Sequence, residues 1–117
     1  MRKLPRTVVF FKTLDGNEPV REWLQSLSKE EKKIIGEDIK TVQGTLQWRK
    51  PLVDFLGSSL WEVRSTLPNT IARIFFCEVE GEMVLLHAIK KKTKKTPTEA
   101  IQLVKTRKKQ YECQEKK

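Results

Sequence analysis

Three strand-like runs follow one another between Leu60 and Ile89 with almost no chain between them. Leu60 to Thr66, Thr70 to Val79 and Met83 to Ile89 are rich in β-branched, aromatic and aliphatic residues and alternate in polarity. Pro68-Asn69 separates the first pair and Glu80-Gly81-Glu82 the second. Gaps that short leave no room for a crossover, so the neighbours must run antiparallel, as a meander. A sheet in the middle of the chain then obliges the flanking segments to cover it.

The flanks have the pattern to do so. Thr7 to Phe11 (TVVFF) reads as a short buried strand. Asp15-Gly16-Asn17 is turn chemistry, with Asn17 expected to cap the next helix and Pro19 in its first turn. Val20, Trp23, Leu24 and Leu27 mark one helical face. Ser28 and Glu31 form a capping box for a second helix, striped by Ile34, Ile35, Ile39 and Val42 and ended by Gly44. Residues 45–59 read as irregular. Thr96 at the cap, Pro97 at the first position and Glu99 closing a box start a last helix, which runs to about Glu112. The expectation is an α+β domain in the order β-α-α-β-β-β-α, a small antiparallel-meander sheet with helices packed on it. Residues 1–112 form the single domain and 113–117 a basic, disordered end.

Charge narrows the function. The chain carries 24 basic and 15 acidic side chains, a formal +9. Residues 1–86 hold 13 basic against 12 acidic groups, and residues 87–117 hold 11 against 3. Such an excess favours a polyanionic partner such as nucleic acid. No apolar run reaches the length of a membrane span, and the N-terminus has no signal-peptide pattern, so a cytoplasmic protein is expected. Two cysteines, Cys77 and Cys113, are too few for a disulfide framework or a zinc site and read as free thiols. Phosphate-loop, dinucleotide, zinc-protease and serine-hydrolase motifs are absent, and no cofactor is implied.

Within the strands, alternation sets Leu60, Glu62 and Arg64 on one face and Trp61, Val63 and Ser65 on the other. Ile71, Arg73, Phe75 and Cys77 share a face of the second strand, and Met83, Leu85, His87 and Ile89 a face of the third. Arg64, Arg73 and His87 are thus polar residues inside apolar runs on three neighbouring strands. A strand arginine alone commonly pairs with a carboxylate such as Glu62 or Glu78. Yet His87 opens onto Lys90, Lys91, Lys92, Lys94 and Lys95, and that loop enters a helix N-terminus, where backbone N–H groups favour an anion. Together these residues suit a phosphate. RNA cleavage needs a deprotonated 2′-hydroxyl, a stabilised phosphorane and a protonated leaving oxygen; guanidinium and ammonium groups supply the second, and a histidine can move protons. No carboxylate cluster suited to Mg²⁺ is evident, so a metal-free route is expected. Trp48 or Trp61 can serve a nucleic-acid binder as a stacking residue.

The segments LWEVR (Leu60 to Arg64), IARIFF (Ile71 to Phe76) and LLHAIKKKTKKTP (Leu85 to Pro97) resemble the RelE/ParE toxin superfamily, most closely its HigB-like, phage-associated branch. The resemblance covers residues 5–112. It implies the toxin of a type II toxin–antitoxin pair, an endoribonuclease that cuts mRNA in the ribosomal A site. Its partners would be the ribosome, mRNA and a cognate antitoxin, commonly a helix-turn-helix protein, with operator DNA reached only through that antitoxin. By resemblance Arg64 and Arg73 contact the scissile phosphate, while His87, Lys92 and the other loop lysines bind RNA or assist proton transfer. Some HigB enzymes use a second histidine; this chain has one. Its only tyrosine, Tyr111, sits at packing distance along the helix from Val104 and Arg107 and reads as structural. Two other readings stay open on the same residues: a non-catalytic nucleic-acid-binding or regulatory protein, and a ParE-like gyrase-inhibiting toxin.

Overall fold

A computed structural model of the chain describes residues 5–45, 48, 52–91 and 97–115. The elements run β1 (Thr7–Phe10), α1 (Pro19–Gln25), α2 (Lys29–Gln43), β2 (Val53–Gly57), β3 (Leu60–Thr66), β4 (Ile71–Val79), β5 (Glu82–Lys90) and α3 (Thr98–Glu115). The strands form one sheet in the order β1-β5-β4-β3-β2. The helical pair α1–α2 covers one face and α3 the other, which makes an α+β domain of three layers.

The meander β3–β4–β5 is antiparallel, as the short gaps require. Two features depart from expectation. The sheet has five strands rather than four, because Val53–Gly57 is a strand and pairs antiparallel with β3. It is also mixed rather than purely antiparallel, since β1 runs parallel to β5, with Thr7 opposite Glu82 and Phe10 opposite Leu85. β2 escapes a sequence reading because its turn is disguised. Gly57 and Leu60 pair across Ser58-Ser59, and both serines adopt left-handed φ, 53° and 60°. That is the hairpin geometry usually signalled by Asn-Gly. The β4–β5 turn has the same form at Glu80 (φ 47°) and Gly81 (φ 81°), and there the glycine gave it away.

The helices follow their caps. At α2 the Ser28 hydroxyl accepts from the Glu31 N–H (3.2 Å) and the Glu31 carboxylate accepts from the Ser28 N–H (3.3 Å). Gly44 ends the helix. At α1 the cap position falls on Glu18 rather than Asn17, and Pro19 takes the first helical position. Asn17 instead closes the preceding turn, its carbonyl accepting from the Thr13 N–H at 2.8 Å. The expected Thr96 cap of α3 lies outside the described residues; Pro97 already accepts, through its carbonyl, from the Ile101 N–H. α3 continues to Glu115, three residues past its expected end. Among the described residues, no helix is long and apolar enough to cross a membrane.

The core divides with the sheet. Val20, Ile35, Ile39 and Val42 from the helical pair meet Val63, Ile74, Phe76, Met83 and Leu85 on one face. Ala100, Val104 and Tyr111 of α3 meet Leu60, Phe75, Cys77, Val84 and Leu86 on the other, with Phe11. Complete burial of side chains of this size stabilises the fold by about 1.5–3 kcal/mol each. Tyr111 donates its hydroxyl proton to Glu82 Oε1 at 2.6 Å, which supports the structural reading of that residue. Fully buried Arg6 clasps the start of β1 to the end of α2: it pairs with Glu78, donates to the Thr45 carbonyl at 2.6 Å, and lies 4.3 Å over the Trp48 ring.

Candidate functional site

Two rows of side chains cross the sheet beneath α3, near the end of β5. In one, Arg64 of β3 faces Arg73 of β4, which faces Ile89 of β5. In the next, Asp54 of β2, Glu62, Phe75 and His87 follow in order. Arg64, Arg73 and His87 therefore occupy one face. His87 does not reach it by simple alternation. Phe75 pairs with His87 but Phe76 with Leu85, which leaves Leu86 as an extra residue, a β-bulge. The face expected to hold Met83, Leu85, His87 and Ile89 is thereby split. Met83 and Leu85 enter the α1–α2 core, whereas His87 stacks on Phe75 (5.8 Å between centroids, 15° between planes).

The arginines are engaged by carboxylates. Arg73 is 1% exposed and donates through Nη1 to Glu62 Oε2 at 3.2 Å. Arg64, 27% exposed, donates to the same oxygen through Nε at 2.9 Å and to Asp54 Oδ2 through Nη2 at 3.0 Å. Glu62 is itself 0% exposed. Two positive and two negative groups thus meet among the described residues, and each carboxylate relieves the desolvation of the guanidinium beside it. Arg64 reaches solvent. Arg73 sits behind Glu62 and does not present itself to a ligand. The carboxylate pairing weighed for lone strand arginines is what this face displays. The β2 strand, unforeseen in the sequence, supplies Asp54 to it.

His87 opens into a cleft of about 400 Å³ between the end of β5 and the start of α3, lined also by Ile89, Lys91, Pro97, Glu99 and Leu103. The first N–H groups of α3 have no helical acceptor ahead of them, so they and the dipole make this end electropositive. Lys91 is exposed at the cleft edge, its N–H held by the Ile71 carbonyl at 2.8 Å. Lys90 also borders the cleft, but its ammonium bonds Glu31 of the α2 capping box at 2.8 Å. Lys90 and the Ser28 cap hold the Glu31 carboxyl below the usual carboxylate range. Lys92, Lys94 and Lys95 lie outside the described residues. Trp48 and Trp61 pack edge-to-face on the α1–α2 side, centroids 5.0 Å apart, away from this cleft.

One neighbour escaped the sequence reading. Arg107 of α3 places Nη1 3.4 Å from His87 Nδ1 and 2.8 Å from the Leu86 carbonyl oxygen. Burial, and secondarily the charge of Arg107, lower the His87 pKa from its ordinary value. Burial also lowers that of Arg107, although a guanidinium remains charged. The signal for Arg107 was present: it falls three residues after Val104 and four before Tyr111, on the inward face of the helix. Among the described residues, no three His, Cys, Asp or Glu side chains gather as a metal site.

The model of a family described as phage derived protein Gp49-like (DUF891) matches residues 22–109, well over half of the chain. The chain belongs to this Gp49-like family. A search of curated proteins gives no match. The Gp49-like span begins inside α1 and ends inside α3, so it takes in all of β2 to β5, both rows of side chains, His87 and Arg107. The Gp49-like family is associated with RelE-like toxins.

Proposed function

We propose that this Gp49-like protein is the toxin of a toxin–antitoxin pair and acts on RNA, as a metal-independent endoribonuclease of the HigB-like type. It cuts mRNA in the ribosomal A site until a cognate antitoxin neutralises it. The observation that carries this reading is the cleft beside these two rows, where His87, Lys91 and the start of α3 converge. Phosphate chemistry suits that convergence, and in the sequence the lysine-rich segment 92–95 joins β5 to α3. The nearest carboxylates of the sheet, Asp54 and Glu62, are held by arginines rather than free to gather a divalent ion.

In the reaction the 2′-oxygen attacks phosphorus as its proton leaves. The P–O5′ bond breaks, the 5′-oxygen takes up a proton, and a 2′,3′-cyclic phosphate remains. Charge builds on the equatorial oxygens, where Arg64, Lys91 and the loop lysines Lys92, Lys94 and Lys95 stabilise it. His87 binds the same phosphate. Arg73 acts from behind: by sharing Glu62 it keeps that carboxylate from neutralising Arg64 outright.

The test is induced expression in a bacterial host with mRNA 5′ ends mapped before and after, beside Arg64→Ala and His87→Ala variants shown folded by circular dichroism. Growth arrest with new cuts inside translated frames, absent in the variants, is expected. Arrest without cuts would replace this reading by a gyrase-type target, and folded protein without arrest by a binding role.

A further inference from the structure

His87 and Arg107 constrain one another more tightly than a shared cleft requires. Arg107 Nη1 donates to the Leu86 carbonyl at 2.8 Å, so the backbone of the bulge fixes its direction. Its guanidinium carbon also lies 5.7 Å from the Phe11 ring centroid. From that fixed position Nη1 faces His87 Nδ1 at 3.4 Å. A guanidinium has donors only and no lone pair to offer. A proton on Nδ1 would set N–H against N–H, whereas a bare Nδ1 accepts. The neutral ring must then carry its proton on Nε2. Stacking on Phe75 fixes the plane of the ring and closes one of its faces to water.

We propose that Arg107 is a positioning residue that locks His87 in the neutral Nε2–H tautomer, so that the histidine offers a hydrogen-bond donor to its ligand and no proton acceptor. Only the identity of that ligand, a phosphoryl oxygen of RNA, rests on the function proposed above. The consequence is mechanistic. Nδ1 is occupied, Nε2 has no lone pair, and a neutral imidazole is too weak an acid to give up its remaining proton near neutrality. His87 therefore binds and polarises, and proton transfer falls to other groups. Among the described charged groups around the ring, Arg107 from α3 disfavours an imidazolium, while Lys91, just past β5, and Glu99 of α3 line the same cleft. From β4 the ring meets apolar Phe75, and the Lys90 ammonium is turned to Glu31.

His87 is the only histidine of the chain, so its imidazole is a single, unambiguous signal in long-range ¹H–¹⁵N spectra of the labelled protein. At pH 7 the expected spectrum has a protonated Nε2 and a bare Nδ1. Arg107→Leu is expected to raise the titration midpoint and mix the tautomers, while Arg107→Lys, which keeps a charged donor, moves them less. A proton on Nδ1 in the parent overturns the proposal. So does an unmoved spectrum in folded Arg107→Leu; should that variant not fold, the parent spectrum still decides the tautomer. In the mRNA assay His87→Gln, which sets an amide N–H near the Nε2 position, is expected to lose about tenfold, and His87→Ala about a hundredfold or more. Equal loss in both would end the donor role. A parent that neither arrests growth nor cuts would remove the RNA reading while the spectrum still settles the tautomer.

Discussion

The two faces of the sheet are built from the same alternating strands, yet they bury different chemistry. Under α1 and α2 the strands present Val63, Ala72, Ile74, Phe76, Met83 and Leu85, with Ser65 and the Arg6–Glu78 pair at one end as polar exceptions. Under α3 the face is apolar at Leu60, Cys77, Val84 and Leu86, then turns to Glu62, Arg64, Arg73 and His87 at the end where β5 hands over to α3. The first face is held mainly by area and packing, with one ion pair, Arg6–Glu78, at its end. The second is held partly by charges that must satisfy one another, which is costly to build and easily unbalanced. Packing and charge are thus weighted differently on the two sides of a single layer of backbone.

Breaking either face is expected to produce the largest effects, for opposite reasons. Phe76→Ala removes a fully buried ring that meets Trp48 edge-on at 5.0 Å and should cost about 3–5 kcal/mol in urea unfolding. Glu62→Ala should cost a similar amount, about 3–5 kcal/mol, because it removes a buried carboxylate paired with buried Arg73. The two differ in rescue. Replacing both Glu62 and Arg73 by leucine and methionine should recover most of the loss, since no charge is then left buried. A double variant no more stable than Glu62→Ala would show that the charges do not account for the fragility of that face.

Next in size is Arg64→Ala. Its partly exposed ion pairs should make it nearly neutral for stability, within about 1 kcal/mol. Its loss of phosphate stabilisation should lower cleavage about 10²–10³-fold. Full activity in the variant would assign Arg64 to the frame alone. The thiols give a smaller test of the same division. Cys77, whose thiol burial pushes up to about 12, should resist a thiol reagent in the native protein while exposed Cys113 reacts. Two reactive thiols without denaturant would mean that the α3 face opens.

How far these contrasts were legible depended on the range of the interaction that creates them. The α2 capping box, the helical stripes and the meander are local, and each could be read within a few residues. β1 beside β5 joins Thr7 to Glu82, a parallel pairing that no local signal announces. β2 was hidden by a Ser58-Ser59 turn that takes left-handed φ without the residues that usually mark it. The candidate site's shared face was legible in its residue types, but not the pairing of those residues. Arg64, Arg73 and His87 do share a face, yet Asp54 and Glu62 claim the arginines. That balance needs the register of three strands to be seen. Strict alternation also misses the bulge at Leu86, which decides that His87 meets Phe75 and Arg107 rather than the α1–α2 core.

The smallest effect is a pH slope, and it isolates the reactive face. His87 in the folded protein binds its proton more weakly than an unfolded histidine, first through burial and then through Arg107. Between the lowered folded value and the ordinary value of about 6.5, the unfolded chain carries a proton that the folded chain lacks. Stability therefore rises with pH through that window; the contribution is complete above it and lost progressively below. Glu31, whose carboxyl is held low by Lys90 and the α2 cap, acts below the ordinary carboxylate value, its contribution lost as pH falls through its lowered value. The expected result is a melting temperature that climbs as pH rises toward about 6.5 in the parent and levels off above it. The climb should be weaker in Arg107→Leu, where one of the two causes is gone, and absent in His87→Gln. An undiminished slope in His87→Gln would place the titrating group elsewhere and leave His87 no part in the pH response.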